Sequence, residues 1–331
     1  MKAINNSNSI GIRNNFWLKI YKDTSFPSFV VLILLIFANA ILQPNFFSIG
    51  VLRTNFMTFT PLVLVTIAQS IIIISGSIDF SVGASLSFFT CMTAYFMTDQ
   101  NVVVVLLIGF MAVILLNGLL NGVLIGKLKL QPLITTYSTQ AIMLGLAMFI
   151  MPVAGGYVPR FFYKFYSSNI LKFIPVPILI LAIGIAIWFF ISKTSIYRYI
   201  YAIGGFEEGA YASGIKVTIV KILSHVIASI FVGLAGICIL MLSATGEWRS
   251  GSPYLINSIA AAIIGGISLR GGKGNIWGAI CGALILGLLN NIIFFAKVSS
   301  YYQIFAKGMI IFLALSVASL PKLFEEKYKF L

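Results

Sequence analysis

Residues 102–126 read VVVVLLIGFMAVILLNGLLNGVLIG, and this stretch sets the class of fold. It carries no charged residue, and as a helix it is long enough to cross the roughly 30 Å hydrocarbon core of a bilayer. Similar apolar runs fill most of the 331 residues, of which 60% are hydrophobic and only 9% are charged. A mean hydropathy of +1.03 leaves too little polar surface for a water-soluble domain. The composition therefore indicates an all-α polytopic membrane protein.

Outward from that segment, the apolar runs predict about ten transmembrane helices. The first extends from Phe26 to Leu42, and the others lie near 54–75, 82–98, 102–126, 133–153, 175–192, 218–243, 255–269, 275–296 and 303–320. The predicted domains are a polar N-terminal segment at 1–26, a transmembrane domain at 27–320 and a tail at 321–331. Gly- and Ser-rich segments near 76–82 and 265–274 predict broken or re-entrant helices, which need a cavity or a protein environment.

The basic residues predict the orientation of the chain in the membrane. With the N-terminus inside, fifteen of the 22 basic residues fall on the inner side, as the positive-inside rule requires. Both termini and the loop at about 193–217 are then cytoplasmic. The net charge of +14 is spread over short loops, so it indicates topology rather than nucleic-acid binding.

The stretch Tyr201–Ile215, YAIGGFEEGAYASGI, is a short polar segment between two apolar runs. It holds Glu207 and Glu208, two of only eight acidic residues in the chain. Basic residues border it on both sides. A short charged loop that is tethered to two spanning helices is typical of a docking surface for another protein.

Asp79, in the phrase SGSIDFSVG at 75–83, is the only carboxylate close to the predicted membrane core. A charge there is costly unless it faces a cavity or a partner. Two interpretations stay open: Asp79 contacts a polar substrate, or it caps the helix that begins at Phe80 and Ser81. The translocation-pathway candidates, chosen by polarity, are Asp79, Ser77, Ser81, Asn117, Asn121 and Ser268. For the asparagines, an interhelical hydrogen bond is the competing role.

Glycines recur at every fourth position in two apolar segments. One set is Gly118, Gly122 and Gly126, and the other is Gly274, Gly278 and Gly282. This spacing places them on one helix face and predicts close packing of helix backbones. The similar phrases at 118–121 and 287–290, both GLLN, leave an internal duplication open.

The residues predict neither a catalytic site nor a metal site. The phosphate-binding phrase Gly-x-x-x-x-Gly-Lys-Ser/Thr is missing, so the chain itself is not expected to hydrolyse ATP. Cys91, Cys238 and Cys281 lack metal-ligand spacing and are interpreted as packing residues. His225 is interpreted as a packed or interfacial residue, with a proton-carrying role as the alternative.

Four segments resemble the sugar-type permeases of bacterial ABC importers, the ribose permease family that serves ribose, xylose, galactose and related solutes. They are 75–83, 117–122 with 127–135, 199–215 and 263–274, and the resemblance extends over about residues 27–320. In the third segment, Glu208-Gly209-Ala210 followed by Gly214 keeps the spacing of the family's Glu-Ala-Ala coupling motif. Gly209 replaces the usual first alanine, and Phe206 stands where the family often has a polar residue.

The resemblance implies a transmembrane subunit that imports a monosaccharide, a ribose-like pentose or a hexose, and is not itself an enzyme. A cytoplasmic ABC ATPase, which carries ATP and Mg²⁺, would dock on the loop through Gly204, Gly205, Glu207, Glu208, Ala210 and Gly214. The other implied partners are an extracytoplasmic sugar-binding protein and a second permease subunit, identical or sister. The chain needs no cofactor of its own, and its place is the bacterial inner membrane.

Three alternatives remain open from the residues alone. An ion-coupled secondary transporter would use Asp79 to bind a proton or a sodium ion. A passive channel for small neutral solutes would account for the glycine stripes. A branched-chain amino-acid ABC permease would need a charge pair for its zwitterionic substrate. The sequence leaves the particular sugar and the homo- or heterodimeric state unspecified.

Overall fold

The architecture comes from a computed structural model that describes residues 25–170 and 173–299. It also describes Tyr302, Gln303, Phe305, Gly308, Met309 and Phe312. The predicted span near 303–320, apart from those positions, lies outside the described residues, as do the N-terminal segment and the C-terminal tail.

Five helices are long and apolar enough to cross a membrane. They are α2 (Ile49–Ile74), α4 (Val102–Gly126), α5 (Pro132–Ile150), α10 (Val217–Ser243) and α12 (Ile276–Phe295). Three apolar helices are shorter: α1 (Phe26–Leu42), α3 (Val82–Phe96) and α11 (Ser252–Ile264). The count of ten predicted helices is therefore matched only in part by the described residues.

The helices α7 (Val176–Ser192) and α8 (Ser195–Gly205) form a bent pair with an angle of 79° between them. Together they can make a sixth span that is broken at its end. The remaining elements are short: α6 (Arg160–Tyr166), α9 (Glu207–Ala212) and a hairpin of β1 (Asn169–Ile170) and β2 (Ile174–Pro175). The segment predicted as a loop at about 193–217 is thus mostly helical, because its apolar residues Ile200 and Ile203 are buried on one face of α8.

The core of the bundle is built around α2. In its most apolar window 89% of the residues are buried, whereas the value for α4 is 33%. The uncovered face of α4 carries Val103, Val104, Leu107, Ile108, Met111 and Leu115. Such a continuous apolar surface is suited to lipid contact, so α2 is an interior helix and α4 a peripheral one.

The connections gather at two ends of the bundle. At one end, Gly76, Gly204 and Gly271 approach each other closely, and we call it the glycine end. At the opposite end, Gly155 and Gly246 pair through two backbone hydrogen bonds of 3.0 and 2.8 Å. There the Tyr157 hydroxyl also donates to Asp99 Oδ1 at 2.9 Å. The alternation of ends along the chain agrees with the predicted order of inner and outer loops.

Candidate functional site

The predicted docking segment folds into a helical hairpin at the glycine end. After α8, Phe206 is extended with φ −157° and ψ 96°, and α9 begins immediately behind it. Glu207 and Glu208 occupy the first turn of α9, where the helix dipole favours negative charge. Ala210 is buried, and the Ser213 hydroxyl donates to the Gly209 carbonyl at 2.8 Å. Gly214 ends the hairpin with a positive φ of 82°.

The two adjacent glutamates have different partners. Both carboxylate oxygens of Glu207 accept from Lys221 Nζ, at 2.8 and 2.7 Å, so this side chain ties α9 to the start of α10. Glu208 is exposed, and no ion pair involves it within the described part of the chain. Among the carboxylates of this hairpin, Glu208 is therefore the one available to a partner, a distinction that adjacency in sequence did not reveal.

The two departures from the family's coupling motif are structurally linked. The Phe206 ring, 65% exposed, lies over Gly209, so that a Cβ atom on Gly209 would overlap the ring. An alanine at 209 would thus exclude this position of the ring. The glycine is required by the phenylalanine three residues before it, and the exposed ring extends the apolar surface of the hairpin.

At the glycine end, α8 contacts two breaks in the bundle through bare backbone. Gly76 follows α2, and the Cβ it lacks would lie 3.4 Å from the Gly204 Cα. A Cβ on Gly204 would overlap the carbonyl oxygen of Ile74, and one on Gly271 would lie 2.7 Å from the Gly204 oxygen. The Gly272 N–H also donates to the Ile74 oxygen at 2.9 Å. We call Gly76, Gly204, Gly205, Gly271 and Gly272 the glycine junction.

The two breaks share one geometry. After α2, the Ser77 N–H donates to the Ile72 oxygen at 3.1 Å, and after α11, the Ile267 N–H donates to the Ala262 oxygen at 3.0 Å. Gly76 and Gly266 both have φ 88°, the left-handed turn that commonly ends a helix. The phrases IISG at 73–76 and IIGG at 263–266 carry this similarity in the sequence, and our sequence analysis did not pair them.

Asp79 lies in the first break and is fully buried. Its Oδ1 accepts from the Ser81 N–H at 2.7 Å and from the Ser81 hydroxyl at 2.6 Å. Its Oδ2 accepts from Asn117 Nδ2 at 3.1 Å. Both oxygens thus accept from protein donors, Ser81 just before α3 and Asn117 on α4, whereas no side chain caps α3 itself.

Both asparagines of α4 converge on the same serine. Asn117 Nδ2 and Asn121 Nδ2 donate to Ser81 Oγ at 2.7 and 2.9 Å, and the Thr139 hydroxyl of α5 donates to Asn121 Oδ1 at 2.6 Å. Asn117 lies in a π-helical segment, Ile114–Leu120, an irregularity that is often found at functional sites. We call Asp79, Ser81, Asn117, Asn121 and Thr139 the polar network; it joins α3, α4 and α5 inside the subunit.

Other polar groups surround this network. The Gln69 carboxamide, oriented to satisfy both groups, donates to the Asp79 carbonyl at 3.1 Å and accepts from its N–H at 3.3 Å. His225 is fully buried on α10 within electrostatic range of Asp79, and its Nε2 has no hydrogen-bond partner among the described residues. The pairing of Gln69 with the Asp79 backbone and the proximity of His225 to Asp79 were not predicted from the sequence, because the order of residues does not show which helices pack together.

The remaining pathway candidates occupy separate places. Ser77 is buried in the first break. Ser268 lies in the second break, where its hydroxyl accepts from the Arg270 N–H at 3.3 Å and its own N–H donates to the Lys273 carbonyl at 3.1 Å. Ser268 therefore shapes the turn that carries Gly271, and it is not part of the polar network.

The first glycine stripe lies against α10. Cβ atoms on Gly118, Gly122 and Gly126 would press on Ser229, Ile222 and Thr218 respectively. In the second set, Gly278 and Gly282 lie against the carbonyl oxygens of Gly265 and Ala261. Gly274 precedes α12, which begins at Ile276, and has φ 129°. Gly274 therefore lies outside the helix that carries Gly278 and Gly282, although a Cβ on it would lie only 2.7 Å from the Ile267 Cα.

The chain was compared with known proteins. Residues 52–315 match the family described as the branched-chain amino acid transport system / permease component. The ribose import permease protein of Haemophilus influenzae is 33% identical over 298 residues, covering 87% of this chain and 90% of the relative. The D-allose transport system permease protein of Escherichia coli is 31% identical over 310 residues, covering 91% and 92%. No solved structure matches.

A bundle of apolar helices with two internal breaks and an exposed hairpin is the architecture of a multi-pass membrane protein. The similar proteins identify the family of membrane proteins to which the chain belongs. The chain belongs to the transport-system permease family named above, among the sugar-type permeases of ABC importers that its motifs resemble. It also has 26% identity over 310 residues to the galactofuranose transporter permease protein of Escherichia coli.

Proposed function

We propose that this chain is the transmembrane subunit of an ABC importer that moves a monosaccharide of the ribose class into the cytoplasm. A separate ATPase, which carries ATP and Mg²⁺, docks on the hairpin of α8 and α9 from the cytoplasm. A sugar-binding protein delivers the substrate at the opposite end, and a second permease subunit completes the pathway in the inner membrane of a bacterium.

The glycine junction is the observation that carries this proposal. The α8 backbone touches both breaks directly at Gly204 and Gly205, and the Tyr201 hydroxyl of α8 adds a hydrogen bond of 2.9 Å to the Gly274 carbonyl in the second break. A displacement of the hairpin by a partner is therefore transmitted directly to helices inside the bundle. A passive channel has no need for such a lever.

The substrate class rests on the relatives and on the charges of the interior. The names of these relatives mention ribose, D-allose and galactofuranose. All three are uncharged monosaccharides. Within the described spans, Asp79 is a buried carboxylate. Its oxygens accept hydrogen bonds from Ser81 and Asn117. A zwitterionic amino acid would require an available pair of opposite charges, so a sugar is favoured over the branched-chain alternative.

The same contacts argue against ion-coupled transport through Asp79. Asp79 Oδ1 and Oδ2 accept three hydrogen bonds from Ser81 and Asn117, and these bonds would have to rearrange before both oxygens could coordinate an ion. We assign the polar network the task of holding the first break, so that motion at the glycine junction reaches α3 and α4 as a unit.

The test of this proposal is ribose uptake by proteoliposomes that contain the permease, its ATPase and its binding protein. Glu208→Lys reverses the exposed charge of the hairpin, and Glu207→Lys with Glu208→Lys reverses both. We expect both variants to insert normally but to lose ATPase binding and uptake.

The matched control is the charge swap Glu207→Lys with Lys221→Glu, which restores the internal ion pair with reversed sign. This variant is expected to keep both activities. Normal uptake by the Glu208→Lys protein would exclude the docking role, and uptake without any ATPase would exclude an ABC importer.

A further inference from the structure

A cleft beside the coupling hairpin has a composition that suits an amphipathic anion. It has a volume of about 580 Å³ and lies between the first turns of α8 and α10. Its polar lining comes from Ser195, Ser213 and Lys216, and its apolar lining includes Ile196, Ile219 and Leu223. The size falls within the roughly 300–1,000 Å³ of typical small-molecule sites.

The polar rim of the cleft is positive. Lys216 is exposed, and no ion pair involves it within the described ranges 25–170 and 173–299. Two helices, α8 and α10, begin at this rim with no side-chain cap and no acidic residue in the first turn. Uncapped N–H groups and the helix dipole attract negative charge, and here two such ends act together with a lysine.

The floor of the cleft is apolar and open. Ile219 is 48% exposed and Leu223 is 39% exposed, although both lie on the long apolar helix α10. A small soluble anion such as phosphate would leave this surface uncovered. A ligand that covers it must join a negative headgroup to an apolar chain.

The bend between α7 and α8 favours a position of the cleft at the membrane surface. The helix α8 leaves α7 at 79°, so if α7 crosses the bilayer, α8 runs along its face. Tyr199 of α8 is 39% exposed and lines the cleft. Tyrosine and tryptophan are enriched where the hydrocarbon meets the headgroups.

From these features we propose that the cleft binds an anionic phospholipid. The phosphate lies at the two helix N-termini beside Lys216, and the first part of an acyl chain covers Ile219 and Leu223. Because Ser213 and Gly214 end the coupling hairpin and also line the cleft, a bound lipid supports the hairpin against the bilayer. The inference does not depend on which substrate is carried.

Native mass spectrometry of the full chain in detergent tests the site. The probes are phosphatidylglycerol and phosphatidylcholine with identical acyl chains. We expect the protein to retain phosphatidylglycerol preferentially. Since a basic residue at a membrane surface contributes about fivefold to the binding of anionic lipid, Lys216→Glu is expected to lower phosphatidylglycerol binding by about fivefold or more.

Two further variants distinguish lipid binding in this cleft from a general effect of charge on lipid binding. Ser195→Asp adds a negative charge at the first turn of α8, where it stabilises the helix, and it is also expected to lower phosphatidylglycerol binding about fivefold. Lys164→Glu makes the same charge change as Lys216→Glu on exposed α6 and is expected to leave binding unchanged.

Equal retention of the two lipids, or equal losses in Lys216→Glu and Lys164→Glu, would overturn the proposal. Full competition by soluble glycerol phosphate would identify a site for the headgroup alone. Release of the phospholipid on addition of the ATPase, combined with loss of ATPase binding in Lys216→Glu, would assign the cleft to the protein partner instead.

Discussion

At the residue scale, the contacts distinguish side chains that look alike in the sequence. Glu207 and Glu208 are neighbours, yet Glu207 is held by Lys221 and Glu208 faces outward. Phe206 and Gly209 each depart from a family motif, and the structure explains both by one contact between them. Variants of the hairpin formed by α8 and α9 should therefore change one residue at a time.

Gly209→Ala is expected to weaken ATPase binding although it favours the helical state. Alanine stabilises a helix by about 1 kcal/mol relative to glycine, but its Cβ displaces the Phe206 ring from the docking surface. We expect roughly fivefold weaker binding, the equivalent of about 1 kcal/mol, in a titration of purified permease with ATPase. Comparison of Phe206→Ser with the double variant Phe206→Ser and Gly209→Ala tests the cause. Without the ring, glycine and alanine at position 209 should give equal ATPase binding. Unaltered binding in the single variant would contradict a role for the ring.

Asp79→Ala is expected to destabilise the fold more than Asp79→Asn. Alanine removes the carboxylate that accepts from Ser81 and Asn117, at a cost of about 2–3 kcal/mol for hydrogen bonds to a charged group, whereas asparagine retains one acceptor oxygen. Unfolding in mixed detergent measures the difference. Ser138→Ala, on the exposed face of α5, is the control and should change stability by less than about 0.5 kcal/mol.

Transport by Asp79→Asn is expected to fall while ATPase binding is kept, because the hairpin does not touch the polar network. A stable Asp79→Ala protein that needs a higher substrate concentration for half-maximal uptake, with its maximal rate kept, would favour the competing interpretation, in which Asp79 contacts the substrate.

At the element scale, the contacts between α8 and the rest of the bundle are concentrated where the helices α2 and α11 end. The helices α2 and α11 end in the same left-handed glycine turn, at Gly76 and Gly266. The helix α8 lies against both of the breaks that follow. This arrangement requires a lack of side chains at the contact, so the glycines of the junction serve close approach rather than flexibility.

Gly204→Ala is expected to uncouple ATP hydrolysis from uptake. The added Cβ would overlap the Ile74 carbonyl and must push α8 away from the first break. We expect uptake to fall by about tenfold or more, the equivalent of about 1.4 kcal/mol, with the ATPase still bound. Uptake and hydrolysis measured in the same proteoliposomes give the ratio. Gly145→Ala on α5, where a Cβ meets no atom within 4 Å, is the control and should behave as wild type.

At the scale of the whole molecule, the contacts among loops divide the bundle into two ends. Loops that the charge rule places inside meet at the glycine junction, and loops that it places outside meet through Asp99, Tyr157, Gly155 and Gly246. The charge pattern and the tertiary contacts are independent, and they lead to the same grouping.

Cysteine labelling in intact cells checks the orientation. Ser213→Cys is expected to react only with a membrane-permeant thiol reagent, and Thr98→Cys with an impermeant one, since both positions are exposed at opposite ends. The native Cys91, Cys238 and Cys281 are buried and provide a low background. The reverse labelling pattern would place the hairpin outside the cell and exclude docking of a cytoplasmic ATPase.

The sequence by itself determined the membrane class, the bounds of most apolar helices and the family, and it singled out the segment that we propose as a docking surface. These features depend on local properties: the length of an apolar run, the distribution of charge and the order of residues in a motif. The span from Phe26 to Leu42 was predicted residue for residue, and α10 to within one residue of its start.

Only the tertiary structure decided which distant residues meet. Ser81 is joined to Asn117 and Asn121, Glu207 to Lys221, and Gly204 to the two breaks. Each of these contacts links positions on different elements, at least fourteen residues apart along the chain. Hydrogen bonds, ion pairs and backbone contacts depend on distances of a few ångströms in space, and those distances are set by how all the helices pack together.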